Sequence, residues 1–422
     1  MEQTTEVNKL INQLFRNKAG QLISTLTRIF GTENIDLAEN VVQEAFLKAC
    51  QKWPYNGIPD NPSAWLTTVA KNNALNMIKR EKAFNQKEAD IVTWYKSVVN
   101  DSVQPEIDDA ISIDDQLKMI FICCNPILSK KAQVCLTLKT VGGFSVGEIA
   151  RAFLSNVTAV QKLLTRAKQK IRDEKIPFGL PSPFILSKRV DSVIDILYAI
   201  FNEGYSAYSG EELIRKELCD EAIRLTSLFL HETFAHFPKI PTIKALLALM
   251  LLHSSRIPAR LDESSNMILL AEQNRVLWDK QLIAKGLKYL SESASGNELS
   301  TYHLEAHISA CHAIAKTYED SDWKQILQLY DDLMKLDPNP VIELNRIVAL
   351  SMVKGPEDGL KELEKLSTNS KLKDYYLLPA TFADFYYRLS NKEQAKYYYL
   401  KALNLTENQT EKRFIKKKMT EI

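Results

Sequence analysis

The chain has 422 residues, of which 45% are apolar and 25% are charged. This mixture is typical of a folded globular protein large enough for two or three domains, and it excludes a largely disordered chain. Glycine (13) and proline (15) are both scarce, which disfavours a many-turned β-sandwich and favours an all-α fold. No apolar run reaches the roughly 18–20 residues that cross a bilayer, and the first ten residues lack a signal-peptide pattern. We therefore expect a cytoplasmic protein with no membrane partner.

The net charge of +2 is unevenly distributed along the chain. Residues 1–180 hold 23 basic and 19 acidic side chains, whereas the remainder holds 31 and 33. Six of the N-terminal acids lie within residues 101–115, so the rest of that region is strongly basic. A basic body beside an acidic segment indicates a polyanionic partner. The six cysteines form no CxxC pair, which predicts buried, reduced thiols.

Helical periodicity dominates the N-terminal region. Apolar residues at helical spacing predict an amphipathic helix over residues 5–30, which ends at Gly31. A second helix is predicted from Asp36 to about Lys52, and a third from about Ser63 to Arg80. Proline and glycine punctuate residues 54–62, from Pro54 onward, and predict a rigid loop between them.

Two segments have the composition of linkers. Residues 86–115 are polar and then acidic, and residues 177–186 contain three prolines. The pattern predicts helices over residues 116–176, between these linkers, and helices joined by short turns over residues 187–422.

The C-terminal region contains a weak internal repeat. The ten residues from Tyr330 resemble the ten from Tyr399, and the offset of 69 residues is about twice the roughly 34-residue tetratricopeptide period. The repeat favours a solenoid-like stack of helices over residues 320–422, with a generic helical bundle as the alternative. Stacked helix pairs form concave surfaces, which suggests a protein or peptide ligand.

Residues 148–160 have the pattern of a helix, a tight turn and a second helix. Asn156 can cap the second helix, whose apolar residues recur at steps of four and three. The opposite face begins with short polar residues and ends with bases. The early residues suit base edges in the DNA major groove, and the later cations suit phosphates. The alternative is an ordinary helical hairpin with a solvated basic face.

The two preceding helices carry aromatic residues on polar faces. Phe46 lies on a polar stripe of the helix from Asp36 and would be partly exposed unless another helix covers it, which suggests a docking face. The alternative is that Phe46 packs beneath the N-terminal helix. Trp65 lies among amides and bases, a set that can stack on unpaired bases. Its alternative is a solvated helix whose tryptophan folds back onto the core.

An enzymatic function has little support in the sequence. His303 and His307 share a helix face and could hold a metal, but His312 falls off that face and no nearby ligand completes a tetrahedral set. No P-loop, GxSxG or dinucleotide fingerprint is present. We expect structural histidines, with no metal, no cofactor and no catalytic residue.

Three segments resemble bacterial sigma factors. Residues 36–49 resemble region 2.2, residues 62–74 resemble regions 2.3 and 2.4, and Glu148–Ala150 with Arg166–Ala167 resembles region 4.2. Their order and spacing, with the acidic linker, resemble the extracytoplasmic-function (group 4) type, which keeps only domains 2 and 4.

Further segments resemble the subgroup that has a long C-terminal tetratricopeptide-like extension. They are Gly142-Gly143-Phe144, Ile176-Pro177-Phe178 and Phe201–Ala207. The resemblance implies an all-α chain with five segments. These are sigma domain 2 (1–85), the acidic linker (86–115), the helix-turn-helix sigma domain 4 (116–176), the Pro-rich linker (177–186) and a helical regulatory extension (187–422).

The resemblance also implies site residues and partners. The clamp helices of the largest subunit of core RNA polymerase would be contacted by Asp36, Glu39, Gln43, Glu44 and Phe46. The minus-ten promoter element would be melted and read, together with the 54–62 loop, by Trp65, Asn72, Asn73, Asn76 and Lys79. The minus-thirty-five element would be bound by Thr158, Gln161, Lys162, Thr165, Arg166 and Lys168. Domain 4 would also contact the flap of the second-largest subunit.

The expected function is therefore promoter-specific initiation of transcription, with activity set in cis by the extension. The alternative is a helix-turn-helix regulator with a helical-repeat interaction domain that never joins polymerase. That alternative does not explain the polar stripe between Asp36 and Phe46.

Overall fold

A computed structural model of the chain describes residues 2–85, 109–153, 155–205, 214–231, 239–263, 266–295, 298–406 and 408–422. These residues form 18 α-helices with short 3-10 turns, and the β-structure among them is one isolated bridge between Leu261 and Met267. The expected all-α fold class is confirmed. The chain divides into a first unit, Met1–Ile196 with His231–Ala235, and a second unit, Leu197–Leu230 with His236–Ile422.

The first unit begins with a three-helix lobe, here called the first lobe. Its helices are α1 (Glu2–Phe30), α2 (Ile35–Asn56) and α3 (Pro62–Asn85). Their apolar faces share one core, in which the α2 residues Ala38, Val41, Val42 and Ala45 are fully buried. Gly31 ends α1 with a φ of 88°, a conformation that glycine adopts without strain.

The predicted break at Pro54 does not occur, since α2 continues to Asn56. Proline removes one backbone donor, but here it lies in the last turn of the helix, where Trp53 is buried in the core. The loop is therefore shorter than predicted and begins at Gly57, whose φ is 83°.

The second lobe follows in the same unit. Its helices are α4 (Asp109–Cys123), α5 (Lys130–Thr140), α6 (Val146–Ala152) and α7 (Val157–Asp173). The α4 helix begins within the segment predicted to be an acidic linker. Acidic side chains near a helix N-terminus interact favourably with its dipole, so the composition that suggested a linker also suits a helix start. Residues 86–108 lie outside the described residues.

Helix α8 (Pro183–Tyr205) likewise begins inside the predicted Pro-rich linker. Proline is favoured in the first turn of a helix, where its missing N–H leaves no bond unmade. Arg189 of α8 donates to the carbonyl of Phe121, and its guanidinium lies 5.7 Å from the Phe121 ring centroid. The start of α8 thus packs on the second lobe, and the division between the units falls at Ile196 rather than at residue 186.

The second unit is a series of helices, and from α9 onward each packs on its neighbour in the chain. They are the end of α8, α9 (Lys216–Leu228), α10 (Ile240–Ser254), α11 (Lys280–Ser293), α12 (Thr301–Ile314), α13 (Trp323–Leu336), α14 (Pro340–Lys354), α15 (Pro356–Leu366), α16 (Leu377–Arg388), α17 (Lys392–Leu405) and α18 (Gln409–Glu421). Two glycines permit close packing. A Cβ at Gly286 would meet Leu252 at 2.8 Å, and one at Gly359 would meet Phe385 at 2.7 Å.

Helix α10 is apolar around its circumference and buried along most of its length. Among the described residues, the segment Ile240–Ala259 is long and apolar enough to cross a membrane, judged by length and composition. From the sequence, no apolar run of that length is expected. However, 67% of its most apolar window is buried inside the protein. Such burial is typical of a central helix in a helical core.

Five of the six cysteines are buried free thiols, whereas Cys50 is exposed. Burial raises the pKa of the Cys124 thiol to about 12, although a hydrogen bond with Thr137 opposes the shift. The expectation of buried thiols therefore fails at one position.

Candidate nucleic-acid and protein interfaces

The helix-turn-helix predicted around residue 156 is formed by α6 and α7. Ser145 and Glu148 cap α6 reciprocally: the Ser145 hydroxyl accepts from the Glu148 amide at 3.1 Å, and the Glu148 carboxylate accepts from the Ser145 amide at 2.8 Å. Asn156 caps α7 by accepting from the Ala159 amide at 2.6 Å. These local bonds define where both helices begin.

Helix α7 has a buried and an exposed face, as its periodicity predicts. Val160, Leu164, Ala167 and Ile171 are buried in the second lobe. The exposed face carries five of the predicted base-reading residues, which are Thr158, Gln161, Lys162, Thr165 and Arg166. Short polar side chains followed by cations are thus presented to solvent on a helix fixed by its apolar side.

Lys168, predicted to contact a DNA phosphate, is not on this exposed face, since only 8% of it is accessible. Its ammonium lies 2.7 Å from Oε2 of Glu39 and 2.9 Å from Oδ1 of Asp36, both on α2 of the first lobe. Burial alone would lower the pKa of Lys168, but the Glu39 and Asp36 carboxylates outweigh it and the pKa is raised. Lys168 is therefore held as a cation between two acids.

Arg172, one turn further along α7, reaches the same acidic site. Its Nη2 lies 3.1 Å from Oδ2 of Asp36, and its Nε donates to the carbonyl of Glu33 at 3.1 Å. A cleft of about 640 Å³ adjoins this pair and is lined also by Leu37 and Met77. Solvent therefore reaches the edge of the contact between α2 and α7.

The α2 residues predicted to bind polymerase separate into two groups. Asp36, Gln43 and Glu44 are exposed, whereas Glu39 and Phe46 are buried. The Phe46 ring packs edge-on against Phe15 of α1, with 4.9 Å between centroids. The alternative considered for Phe46 is the one observed, so the expectation of an exposed aromatic anchor is corrected: a neighbouring helix covers it.

The α3 residues predicted to meet the minus-ten element are also divided. Asn72 and Asn76 are exposed, whereas Trp65 is half-buried and packs edge-on against Trp53 with 5.5 Å between centroids. Asn73 is held by its neighbours: it accepts from Lys48 Nζ at 2.6 Å and donates to Glu44 Oε2 at 3.3 Å. These two contacts orient its amide.

The Lys79 side chain lies outside the described residues. The predictions for the minus-ten element therefore rest on the four other side chains of α3.

The histidines considered as metal ligands have separate structural contacts. Nδ1 of His303 lies 3.1 Å from the amide nitrogen of Ser300 at the start of α12, and His312 packs against Trp323 with 5.2 Å between ring centroids. Burial and two nearby arginines lower the pKa of His312 to about 3. Within the described residues no group of three or more metal-ligand side chains is assembled.

Sequence reasoning missed Gly20, which lies in the middle of α1. A Cβ at Gly20 would lie 1.8 Å from the carbonyl oxygen of Val141 at the end of α5. Glycine inside a helix costs roughly 0.5–1 kcal/mol relative to alanine, so a glycine here indicates a close approach of two backbones. That cost was the signal in the sequence, but only the structure identifies the second helix.

A second missed contact joins the same two lobes. Arg28 of α1 lies with its Nε 2.9 Å from Oδ1 of Asp115, whose side chain is buried. The Thr32 hydroxyl also donates to the carbonyl of Ile176, just beyond α7. The two lobes thus meet through Gly20, Arg28 and Thr32 as well as through Lys168.

Comparisons with known families match these regions. A model described as Sigma-70 region 2 matches residues 14–84, and one described as Sigma-70, region 4 matches residues 119–171. A family of unknown function (DUF6596) matches residues 189–294. The matched ranges correspond to the first lobe, the second lobe and the helices that follow.

Relatives agree with these matches. The chain is 35% identical to an uncharacterized protein, R00370, of Rhizobium meliloti (strain 1021), over 94% of this chain and 92% of the relative. It is 26% identical to a probable ECF RNA polymerase sigma factor, SigI, of Mycobacterium tuberculosis (strain ATCC 25618 / H37Rv), over 39% of this chain and 56% of SigI. It is 21% identical to the ECF RNA polymerase sigma factor SigK of Mycobacterium ulcerans (strain Agy99), over 40% of this chain and 92% of SigK.

No solved structure matches the chain at a significant level. The two sigma-region matches, the relatives and the two lobes nevertheless agree in order and position along the chain. The chain therefore belongs to the extracytoplasmic-function family of RNA polymerase sigma factors, in a form that carries a C-terminal helical extension.

Proposed function

We propose that the protein binds core RNA polymerase and directs it to a small set of promoters. The main support is the exposed polar face of α7, which a capped helix-turn-helix presents while Val160, Leu164 and Ile171 hold the helix in the second lobe. Such a helix can enter the major groove with its N-terminal residues on base edges. Sigma factors as a family are not enzymes, so polymerase performs the chemistry, in the cytoplasm.

The minus-thirty-five element is assigned to this exposed face. Gln161 has an amide that can pair bidentately with adenine, and each such contact contributes about 1–3 kcal/mol of discrimination. We therefore expect Gln161→Ala to change the preference among minus-thirty-five variants in transcription assays. Gln169→Ala, two turns further along α7, is the matched control and should leave the preference unchanged. Equal effects of both variants on every sequence would contradict the assignment.

The minus-ten element is assigned to α3. Asn72 and Asn76 are exposed, so their amides can form hydrogen bonds with unpaired bases. Asn73 and Trp65 instead contact the neighbouring side chains Lys48 and Trp53. Asn76→Ala should reduce open-complex formation without changing core polymerase affinity. Permanganate footprinting of the promoter measures the first quantity.

Polymerase binding is assigned to the polar surface of α2. Gln43 and Glu44 are exposed, and so is Asp36 although it pairs with Lys168 and Arg172, so these three residues can meet a basic or polar partner face. Glu39 is buried and paired with Lys168. Because Phe46 is buried, we do not assign it a direct contact with polymerase. A pull-down with purified core polymerase tests the assignment: retention of the chain supports it, and DNA binding without retention would favour a regulator that never joins polymerase.

The extension is proposed to set sigma activity in cis, with a protein or peptide as its ligand. Similarity to the Rhizobium meliloti relative runs through both sigma regions and the extension, so the two parts occur together in another organism. The second unit also contains a cavity of about 490 Å³, lined by Tyr318, Tyr376, Asp384 and Arg388 among others. This volume lies in the range of ligand pockets.

A truncation tests control in cis. Cutting after Lys175 would remove Arg189, which packs on the second lobe. A truncation after Ile196 keeps this contact and removes the second unit. We expect the chain 1–196 to differ from the full chain in run-off transcription with core polymerase. Equal activity and equal promoter choice of the two folded proteins would contradict control by the extension.

A further inference from the structure

Three arginines of the second unit lie around two aromatic rings. Arg256 donates to the Tyr205 hydroxyl at 2.8 Å, and the guanidinium carbon of Arg260 lies 3.9 Å from the centroid of the same ring. Arg256 and Arg275 both lie near the Trp278 ring, with 5.9 Å and 4.5 Å between guanidinium carbon and ring centroid. Arg256 thus joins the three guanidiniums, which are here called the arginine cluster.

The cluster forms where the turn after α10 meets the turn before α11. The 3-10 turns Ile257–Ala259 and Arg275–Leu277 pack on each other. The Asp279 amide donates to the Ser255 carbonyl at 2.9 Å, which holds the start of α11 beside the end of α10. The arginines are therefore brought together by backbone contacts that do not involve their side chains.

The positive charge of the cluster is not balanced by a paired carboxylate. Within the described ranges none of its guanidiniums forms an ion pair, whereas Arg346 of α14 has its Nε 2.5 Å from Oδ1 of Asp331. Burial lowers the pKa of Arg260, and the charge of Arg256 adds to this shift. Like charges gathered away from water oppose each other. An anion bound among them would offset this repulsion.

Arg275 has acidic neighbours, but it does not pair with them. Glu319 and Asp320 are both exposed, and they oppose the lowering of the Arg275 pKa. Burial and a neighbouring guanidinium outweigh the two acids, so that pKa is lowered. Nη1 of Arg275 instead donates to the carbonyls of His312 and Ala315, at 2.5 Å and 2.9 Å. The charge of Arg275 therefore remains available to a further anion.

Several hydrogen-bond donors of the cluster have no acceptor. Each guanidinium has five N–H donors, but in the part of the chain that the structure describes the three together make four hydrogen bonds. Nη2 of Arg275 is buried with no hydrogen-bond partner there, and so is Nε1 of Trp278, a residue that is 4% exposed. An unpaired buried donor is unfavourable, and a charged one more so. These donors indicate a site for an acceptor group.

The chemistry of the cluster favours a phosphate over a single carboxylate. A guanidinium that lies over a ring, as that of Arg260 does, keeps its N–H donors at its edge, where they can bind two oxygens of one anion. Three cations without a carboxylate partner match a multiply charged anion. A phosphomonoester carries a charge of about −1.5 to −2 at pH 7, whereas a carboxylate carries a single charge.

We propose that the arginine cluster binds the terminal phosphate or diphosphate group of a small molecule. The inference goes beyond the proposed function and does not rest on it, because the cluster lies within the second unit. It adds a small phosphorylated ligand to the protein or peptide ligand already proposed for the extension. The guanidiniums are half-buried, so they fit a terminal group that enters between them, whereas a nucleic-acid backbone presents diesters of one charge each.

The alternative is that the cluster only stabilises the packing of α10 on α11, since cation–π contacts are favourable by themselves. The two possibilities differ in the effect of Arg256→Gln without an anion. A structural role predicts faster hydrogen exchange of the α10 and α11 amides. A ligand site predicts little change, because backbone contacts hold the helices and one of three like charges is removed.

Inorganic pyrophosphate is the probe, titrated by calorimetry into the full chain without polymerase. We expect Arg256→Gln to weaken the dissociation constant at least about tenfold, because charge-assisted hydrogen bonds are lost. Arg346→Gln is the matched control: it removes the same charge from the same unit, and the constant should stay within roughly twofold. Both variants leave the two sigma lobes unchanged, so anion binding by those lobes cancels in the comparison.

Hydrogen exchange locates the bound anion. At about one hundred times its dissociation constant, pyrophosphate should slow the exchange of α10 and α11 amides that open with the whole unit about a hundredfold. At the same concentration the slowing in Arg256→Gln should be about tenfold or less. A single-stranded oligonucleotide without a terminal phosphate should leave these amides unchanged.

Arg256→Lys covers the case in which Arg256→Gln fails to fold. Lysine keeps the positive charge but lacks the planar fork that binds two oxygens at once. The dissociation constant for pyrophosphate should therefore still weaken, by roughly threefold or more, in a chain with the parent's charge.

Three outcomes would overturn the proposal. Failure of pyrophosphate to protect α10 and α11 in the parent chain would leave the cluster a structural contact, as would faster exchange in Arg256→Gln without anion combined with an unchanged dissociation constant. Equal dissociation constants in the parent and in the folded Arg256 variants would assign pyrophosphate to another basic surface. Equal protection by the oligonucleotide would assign the cluster to a nucleic-acid backbone.

Discussion

The contact between the two sigma lobes and the contacts within the second unit involve different kinds of interaction. Between the lobes, a glycine meets a carbonyl and charged side chains pair, as Lys168 does with Glu39. In the second unit, apolar and aromatic side chains interlock, as Phe382 does with Tyr398 at 4.7 Å between stacked rings. The first kind of surface can return to water at modest cost, and the second cannot. The two contacts should therefore respond differently to salt and to the loss of a single side chain.

The largest expected effect comes from breaking the apolar side of this comparison. Phe385 is fully buried against Gly359, so Phe385→Ala should destabilise the second unit by about 3–5 kcal/mol. Hydrogen exchange of α15 and α16 amides measures the loss of protection. Tyr387→Ala, at a position 47% exposed, is the control and should have little effect. Equal protection in the two variants would show that this packing contributes no more than a surface residue.

The next effect tests whether the first lobe is itself permanently assembled. Phe46 is 4% exposed and packs on Phe15, so Phe46→Ala should destabilise α1 and α2 by about 3 kcal/mol. Polymerase affinity per folded molecule should stay unchanged. The neighbouring Leu47 is 60% exposed, and Leu47→Ala should leave stability nearly unaltered. A large loss of polymerase affinity with full hydrogen-exchange protection would restore Phe46 as a docking residue.

A third effect concerns protonation of a buried histidine in the second unit, which should lower the stability of that unit. His312 has a pKa lowered by burial to about 3, so it is neutral when folded but takes a proton in the unfolded chain below pH 6.5. Stability is therefore full above that pH and falls as the pH drops, by about 2 kcal/mol between pH 7 and pH 5. Urea titrations across this range measure the slope.

The matched variants for this pH dependence are His312→Gln and His307→Gln. The first should reduce the slope of stability with pH, because one group that gains a proton on unfolding is gone, while His253, whose pKa burial also lowers, should still contribute. The second should leave the slope as it is in the parent chain. The opposite ranking would assign the pH dependence to another group.

The smallest effect distinguishes the exposed from the buried ion pair in the contact between the lobes. Arg172 and Asp36 are each about half-exposed, and such pairs contribute about 0.2–1 kcal/mol. Arg172→Gln should therefore destabilise the first unit in urea titrations less than Lys168→Met does, and high salt should reduce its effect further. A larger effect of Arg172→Gln would place the main restraint at the surface.

Local features of the sequence were sufficient where short-range chemistry decides the structure. The helix-turn-helix was predictable because Asn156 caps its own helix and the apolar residues of α7 recur at helical spacing. The starts of α4 and α8 were misplaced, because acids and prolines occur both in linkers and in the first turns of helices. Composition alone does not separate the two.

Exposure was the property that local pattern could not supply. Phe46 and Lys168 both lie on polar stripes, and a stripe says nothing about which other helix will cover it. Gly20 was visible as a costly residue inside a helix, but its partner carbonyl lies 121 positions later in the chain. The pairing of Arg28 with Asp115 likewise joins residues that are distant in the sequence, so it could not be predicted from local pattern.

The sequence by itself determined the all-α class, the order of the sigma regions and the identity of the polar face on α7, because these follow from spacing, caps and short motifs. Only the tertiary structure decided that α1 covers Phe46 and that Lys168 of α7 lies between Asp36 and Glu39 of α2. The physical reason is that burial and ion pairing depend on which surfaces meet, and for Lys168 the meeting surfaces come from segments more than a hundred residues apart.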